Sequence, residues 1–305
     1  MARAAPGWAK LTRYALEDFA TTCVALPDGV VRLPLDLVPA EWLPPALHML
    51  ELDPDGVGRP HYVESRARPA RVPLLNGRAL SFRSTPRLVH GDCVSFGEPV
   101  ATTLLDAPEA RHPGLEAALG RGDGRSVYAD WLLERGDPFG EALARAGAGG
   151  EPPEWVLHET RLPLLVVDAS WRRGFADELE VALNDPATFP AGLLRVLHAR
   201  AMLAVRTLTV WVDGARFVQA PLATSLAAHL PAGLERFELV LGQEEPPEAQ
   251  AVAALEAAAR ARCPGLAAGP VVRIDPTRAV PNMELMLLNL RSRLPLSPDS
   301  GSGSG

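Results

Sequence analysis

The sequence predicts a multidomain α+β chain, and three observations carry that prediction. The first third is broken into short apolar runs by Pro and Gly, the middle changes to helical spacing, and the second half repeats a strand-and-helix pattern at a fixed interval. Each stretch reads as its own unit. Residues 1–108 form a β-sandwich, 109–150 a small helical domain, 151–290 a short β-α repeat array, and 291–305 a flexible tail of linker composition ("SPDSGSGSG").

Composition narrows the function classes. The 305 residues leave room for two or three compact units, and 47% apolar residues supply a core. A net charge of −7, spread without long blocks, offers no basic face for nucleic acid. Lys10 is the only lysine among otherwise all-arginine cations, a skew that points to a GC-rich bacterial genome. Cys23, Cys93 and Cys263 are far apart and odd in number, so neither a disulfide framework nor a metal knuckle is expected. No apolar stretch approaches the ~20 residues of a membrane span, and the N-terminus lacks a leader pattern. A cytoplasmic protein without cofactors is the resulting expectation.

In the first unit "TTCVALPDG", "VVRLPLDLV" and "LHMLELDPDG" are strand-like, and Asp28-Gly29, Asp55-Gly56 and Asn76-Gly77 are turn dipeptides between them. The stretch "VPLLNGRALSFRSTPRLVHGDCVSFG" resembles the C-terminal half of a forkhead-associated domain. Asn76, Gly77, Leu88, Gly91, Asp92, Val94 and Gly97 follow that family's order, with Arg32 and His48 near its upstream motifs. The resemblance implies a phosphothreonine reader in which Arg32 and Asn76 face the phosphate. Val31, Pro45 and Ala46 replace the family's Gly, Ser and Arg, however. A dianionic phosphate requires several charge-assisted donors, so phosphopeptide binding is not expected of this unit.

Helical spacing begins near residue 112. Leu115, Ala118 and Leu119, then Val127, Tyr128, Trp131 and Leu132, recur at i, i+3 and i+4. Gly136 suits the left-handed end of one helix, Asp137 the N-cap of the next, and Pro138 its first position. Trp131 is expected to be largely buried. Asp130 and Glu134 share a helix face, which reads as solvated surface, not a metal site. The stretch "VYADWLLERGDPFGE" resembles the hallmark of a short bacterial repeat-companion domain, at Tyr128, Asp130, Trp131, Glu134, Arg135, Gly136, Asp137, Gly140 and Glu141 among others. That resemblance implies no enzymatic activity, and it implies leucine-rich repeats downstream.

The second half carries them. Leu179, Leu208 and Phe237 are 29 residues apart; Val181, Val210 and Leu239 keep that offset, and so do Ala176, Val205 and Leu234. This is the strand core of a leucine-rich repeat at a usual period. Helical runs separate the strands, "VVRID" is a fourth strand, and "SWRRGF" resembles the lead-in that caps the first repeat. An ordinary βαβ layer has the same pattern. Side chains between the buried positions point the other way, which makes Glu178, Glu180, Thr207, Thr209, Arg236 and Glu238, with Trp211 near the edge, a candidate partner-binding face.

No phosphate-cradling loop, His-Glu-x-x-His, nucleophile elbow or kinase motif occurs. Asp53 and Asp55 read as a hairpin turn. No catalytic and no metal-ligating residue is assigned. The sequence thus predicts a non-enzymatic adaptor or scaffold that binds protein partners, with an enzyme or toxin-system component of unrecognised catalytic residues as the alternative.

Overall fold

A computed structural model describes residues 5–34, 36–42, 48–62, 73–81, 83–95, 99–120, 124–147, 150–161, 165–183, 189–212, 220–242 and 248–274. The chain is mixed α+β, and its described strands form three sheets.

The N-terminal strands are β1 (Trp8–Arg13), β2 (Ala20–Ala25), β3 (Val31–Leu33), β4 (His48–Leu52) and β5 (Gly58–Tyr62), followed by β6 (Leu74–Leu75), β7 (Arg78–Ala79), β8 (Cys93–Ser95) and β9 (Val100–Leu105). They pair antiparallel as β2-β1-β9-β8-β6-β7 and β3-β4-β5. Alternation along the strands sends Leu11 and Leu104 from one sheet and Leu33 and Leu50 from the other into one apolar cluster. Asn76 (φ 52°) and Gly77 (φ 77°) are both left-handed, the turn that joins two strands with matching twist. The side chain of His48 lies outside the described residues.

Three helices follow: α1 (Pro113–Gly120), α2 (Arg125–Leu133) and α3 (Pro138–Ala146). The "ERGDP" joint forms as its chemistry predicts, with Gly136 at φ 65° and the Asp137 carboxylate accepting from the Phe139 amide as N-cap. Tyr128, Leu132, Phe139 and Leu143 face inward, where Phe175, Ala201 and Ala204 of the next unit join them. Trp131 packs against the edge of this cluster with most of its surface covered, and the Arg135 guanidinium lies 4.1 Å from its ring centre. Tyr128 of α2 and Phe139 of α3 hold the fully buried positions.

The C-terminal part runs β10 (Leu165–Arg172), β11 (Phe175–Leu183), α4 (Phe189–Leu197), β12 (Thr207–Val212), α5 (Ala220–His229), β13 (Arg236–Leu241), α6 (Ala249–Arg262) and β14 (Val272–Ile274). The sheet order is the chain order; β10 is antiparallel and the remaining pairs are parallel. Leu179 pairs with Leu208 and Leu208 with Phe237, so the 29-residue offset is the register of the sheet. Asn184, Asp213 and Gln243, which follow these strands, lie outside the described residues. The lead-in "SWRRGF" is the end of β10 and a hairpin turn at Arg173 (φ 53°) and Gly174 (φ 74°).

Candidate functional site

Leu179, Val181, Leu208, Val210, Phe237 and Leu239 pack against α4, α5 and α6 in one apolar cluster. On the opposite face the register aligns Glu178 with Thr207 and Arg236, and Glu180 with Thr209 and Glu238, all exposed or half-buried. The hairpin partner β10 adds Ser170 opposite Glu178 and Asp168 opposite Glu180. Asp168, Ser170, Glu178, Glu180, Thr207 and Thr209 line a depression of about 300 Å³. Sequence spacing placed the residues of β11 to β13 here; it missed Asp168 and Ser170 because β10 was not read as a strand.

Trp211 does not belong with them. It sits on the same side of β12 but is only 2% exposed. Its register neighbours are Ala182 and Val240, which offer the indole an apolar seat, and the Arg273 guanidinium lies 5.7 Å from its ring centre. The tryptophan is therefore part of the packing of the sheet, which removes it from the partner-facing set.

At the start of the parallel strands runs a charge ladder. Asp177, Arg206 and Glu235 keep the 29-residue offset, with Arg206 at 2.9 Å from Asp177 and 3.5 Å from Glu235. Arg125 of α2 closes the ladder on Asp177 at 2.6 Å. Burial opposes ionisation of Asp177, but hydrogen bonds from Arg206 and Arg125 outweigh it and hold the carboxyl below its usual range.

Another polar cluster lies where the N-terminal sheet, α1 to α3 and the C-terminal sheet unit meet. Lys10 of β1 is 5% exposed and pairs with Glu109 at 2.8 Å and with Glu159. The Thr103 hydroxyl also donates to Glu159, whose carbonyl accepts from Arg195 Nε at 2.8 Å. Arg200 grips both oxygens of Asp137, at 2.9 and 3.0 Å, and donates to the Ala110 carbonyl. A cavity of about 30 Å³ beside Glu109, Glu159, Trp155 and Arg200 is water-sized.

The electrostatics of this junction are those of a structural cluster. Burial disfavours the Lys10 charge, yet Glu109 and Glu159 outweigh it and hold the ammonium above its ordinary value. Burial likewise opposes Glu109, but Lys10 and then Arg200 pull its pKa down to about 2. Burial raises the Cys93 thiol despite Arg195 nearby. These shifts favour the charged form of Lys10 and the thiol form of Cys93.

The β1–β2 loop is latched to the C-terminal ends of α4 and α5. Phe19 stacks on His198 at 3.8 Å, His198 Nε2 lies 3.1 Å from His229 Nδ1, and His229 Nε2 lies 2.9 Å from the Leu16 carbonyl. A carbonyl only accepts, so His229 Nε2 carries the hydrogen; its Nδ1 then accepts from His198. Burial first, then His229, pushes the His198 pKa down to about 4.

The two residues singled out for phosphate are engaged internally. Arg32 pairs with Glu51 at 3.3 Å. Asn76 donates to Asp92 at 2.8 Å and accepts from the Cys93 amide at 2.8 Å. The turn itself is covered, since a Cβ on Gly77 would meet the Arg161 carbonyl at 2.7 Å. Asp130 and Glu134 are exposed, and among the described residues no group of three or more His, Cys, Asp or Glu is placed to hold a metal ion. Among the same residues no helix is long and apolar enough to cross a membrane.

Comparison with protein-family models, curated proteins and solved structures finds no match for the chain.

Proposed function

We propose that this protein is a non-enzymatic adaptor whose partner is another protein, bound across the open polar face of the five-stranded sheet. One observation carries the reading: the helices cover one face of that sheet, while Asp168, Ser170, Glu178, Glu180, Thr207 and Thr209 line a depression on the other. The buried charged groups are paired with one another at the junction, an arrangement that supports a scaffold more readily than a reaction centre. Two antiparallel sheets sharing one core support a forkhead-associated-like sandwich at the N-terminus. The in-register 29-residue ladder supports a short leucine-rich-repeat-like array, and the companion motif is the joint between them. In this reading the sandwich is scaffold, because Arg32 and Asn76 are already engaged.

The test places an arginine in the depression. Thr209→Arg adds bulk at its wall, and Val127→Arg makes the same change on the exposed side of α2. Partner capture from the native cells, read by mass spectrometry, is expected to lose specific proteins with Thr209→Arg and to keep them with Val127→Arg. Identical protein lists from the wild type and both folded variants would move the interaction off this face.

A further inference from the structure

We infer that the segment received by this face is basic, with arginine or lysine side chains lying over the β10–β11 hairpin; this rests on the sheet-face reading above. The antiparallel register sets Asp168 directly opposite Glu180, and both are exposed. Glu178 is two residues from Glu180 on the same face. Like charges directly opposite in an antiparallel pair repel, so this arrangement weakens the hairpin that carries it.

The rest of the sheet is not built this way. Glu238 has Arg236 at 3.3 Å and Arg273 at 3.7 Å, and Asp177 and Glu235 lie in the ladder with Arg206. Among the described residues Asp168, Glu178 and Glu180 make no ion pair. Negative charge is therefore concentrated at one end of the depression, next to the hydroxyls of Thr207 and Thr209. A guanidinium presents several donors in a plane and bridges two carboxylates at once, which turns the repulsion between Asp168 and Glu180 into a shared ion pair. The net charge of −7 attracts a basic partner at longer range.

A short fluorescein-labelled peptide of alternating arginine and serine is the probe, with a glutamate-serine peptide as its counterpart, followed by anisotropy on the full chain. The arginine peptide is expected to bind and the glutamate peptide not, with affinity falling as salt rises from about 50 to about 300 mM. Asp168→Asn with Glu180→Gln is expected to weaken binding about tenfold or more. Asp130→Asn with Glu134→Gln removes the same charge from α2 and is expected to leave binding unchanged. Equal losses in the two double variants, or no loss in the first, would overturn the inference. So would calcium alone displacing the peptide from the wild type, which would make the face a cation site.

A thermal melt supplies a readout independent of the ligand. The Asp168→Asn and Glu180→Gln variant is expected to melt no lower than the wild type, because the repulsive pair is gone; a lower midpoint contradicts the premise. The two readings fail differently. If Thr209→Arg abolishes partner capture but the neutral variant retains it, the face binds and its partner is not basic. If Thr209→Arg changes nothing, the face reading itself is wrong.

Discussion

Lys10 stands out in the sequence only as the single lysine, and its role becomes visible once its partners are known. Glu109 and Glu159 lie 99 and 149 positions away, so no spacing rule links the three. Inside the protein the ammonium is what makes two buried carboxylates tolerable. Lys10→Met removes the cation that both share and leaves them only Thr103 and the field of Arg200, and removing one partner of a buried ion pair typically costs about 3–5 kcal/mol. A urea midpoint unchanged by that substitution would show that the carboxylates reach solvent. The histidine latch is legible in no motif either, because His198 and His229 meet only where α4 and α5 pack side by side. It does leave a pH signature. The folded pKa of His198 is depressed to about 4 from an ordinary 6.5. The unfolded chain therefore binds the extra proton first; stability is full above about pH 6.5 and declines as pH falls toward 4. Glu109, depressed to about 2 from 4.5, adds a second decline below pH 4.5 by the same sign. Melting temperatures across this range are expected to fall in both windows. His198→Leu is expected to flatten the upper one only, and an unaltered upper slope in that variant would place its titration elsewhere.

At the scale of elements, period and turn chemistry carried most of what could be read. The parallel strands β11 to β13 were visible because three apolar positions repeat together at 29 residues, and a sheet register preserves such an offset. The α2–α3 joint was visible because Gly, Asp and Pro each have one favoured place around a helix end. The strand β10 was not read, since its turn is Arg173-Gly174 instead of the Asn-Gly or Asp-Gly pair that signals a hairpin. That omission also hid Asp168, half of the charge pattern on the candidate face. The turn is demanding: Gly174 is left-handed, and a Cβ there would lie 2.8 Å from Leu143 Cδ2. Gly174→Ala combines backbone strain with this clash and is expected to cost about 1–3 kcal/mol. A melt of that variant matching the wild type would contradict the packing of the hairpin on α3. Helical spacing places Trp131 on the inward side of α2, and the structure sets it against the edge of the core under Arg135. Trp131→Ala is therefore expected to cost about 3 kcal/mol, the lower end for a large aromatic truncation.

At the scale of the whole molecule, apolar packing continues from one unit of the chain into the next. Tyr14 and Cys93 of the N-terminal unit share an apolar cluster with Ala191 and Leu194 of α4, and Phe175 of β11 completes the core of α2 and α3. Asp137 lies where these contacts converge. The sequence marks it as a helix cap, and the fold also makes it the partner of buried Arg200 and the acceptor for the Ala110 amide. Asp137→Ala removes the cap, about 1 kcal/mol, and leaves the Arg200 guanidinium without its carboxylate, about 3–5 kcal/mol more. Because Arg200 and Ala110 belong to different segments of the chain, the loss is expected to be felt throughout. Far-ultraviolet circular dichroism and tryptophan fluorescence should move together to a lower denaturant midpoint in this variant, as they do in one cooperative transition. Helical signal lost ahead of the fluorescence would mean that α1 to α3 unfold by themselves, and that the buried charges do not couple the two ends of the molecule.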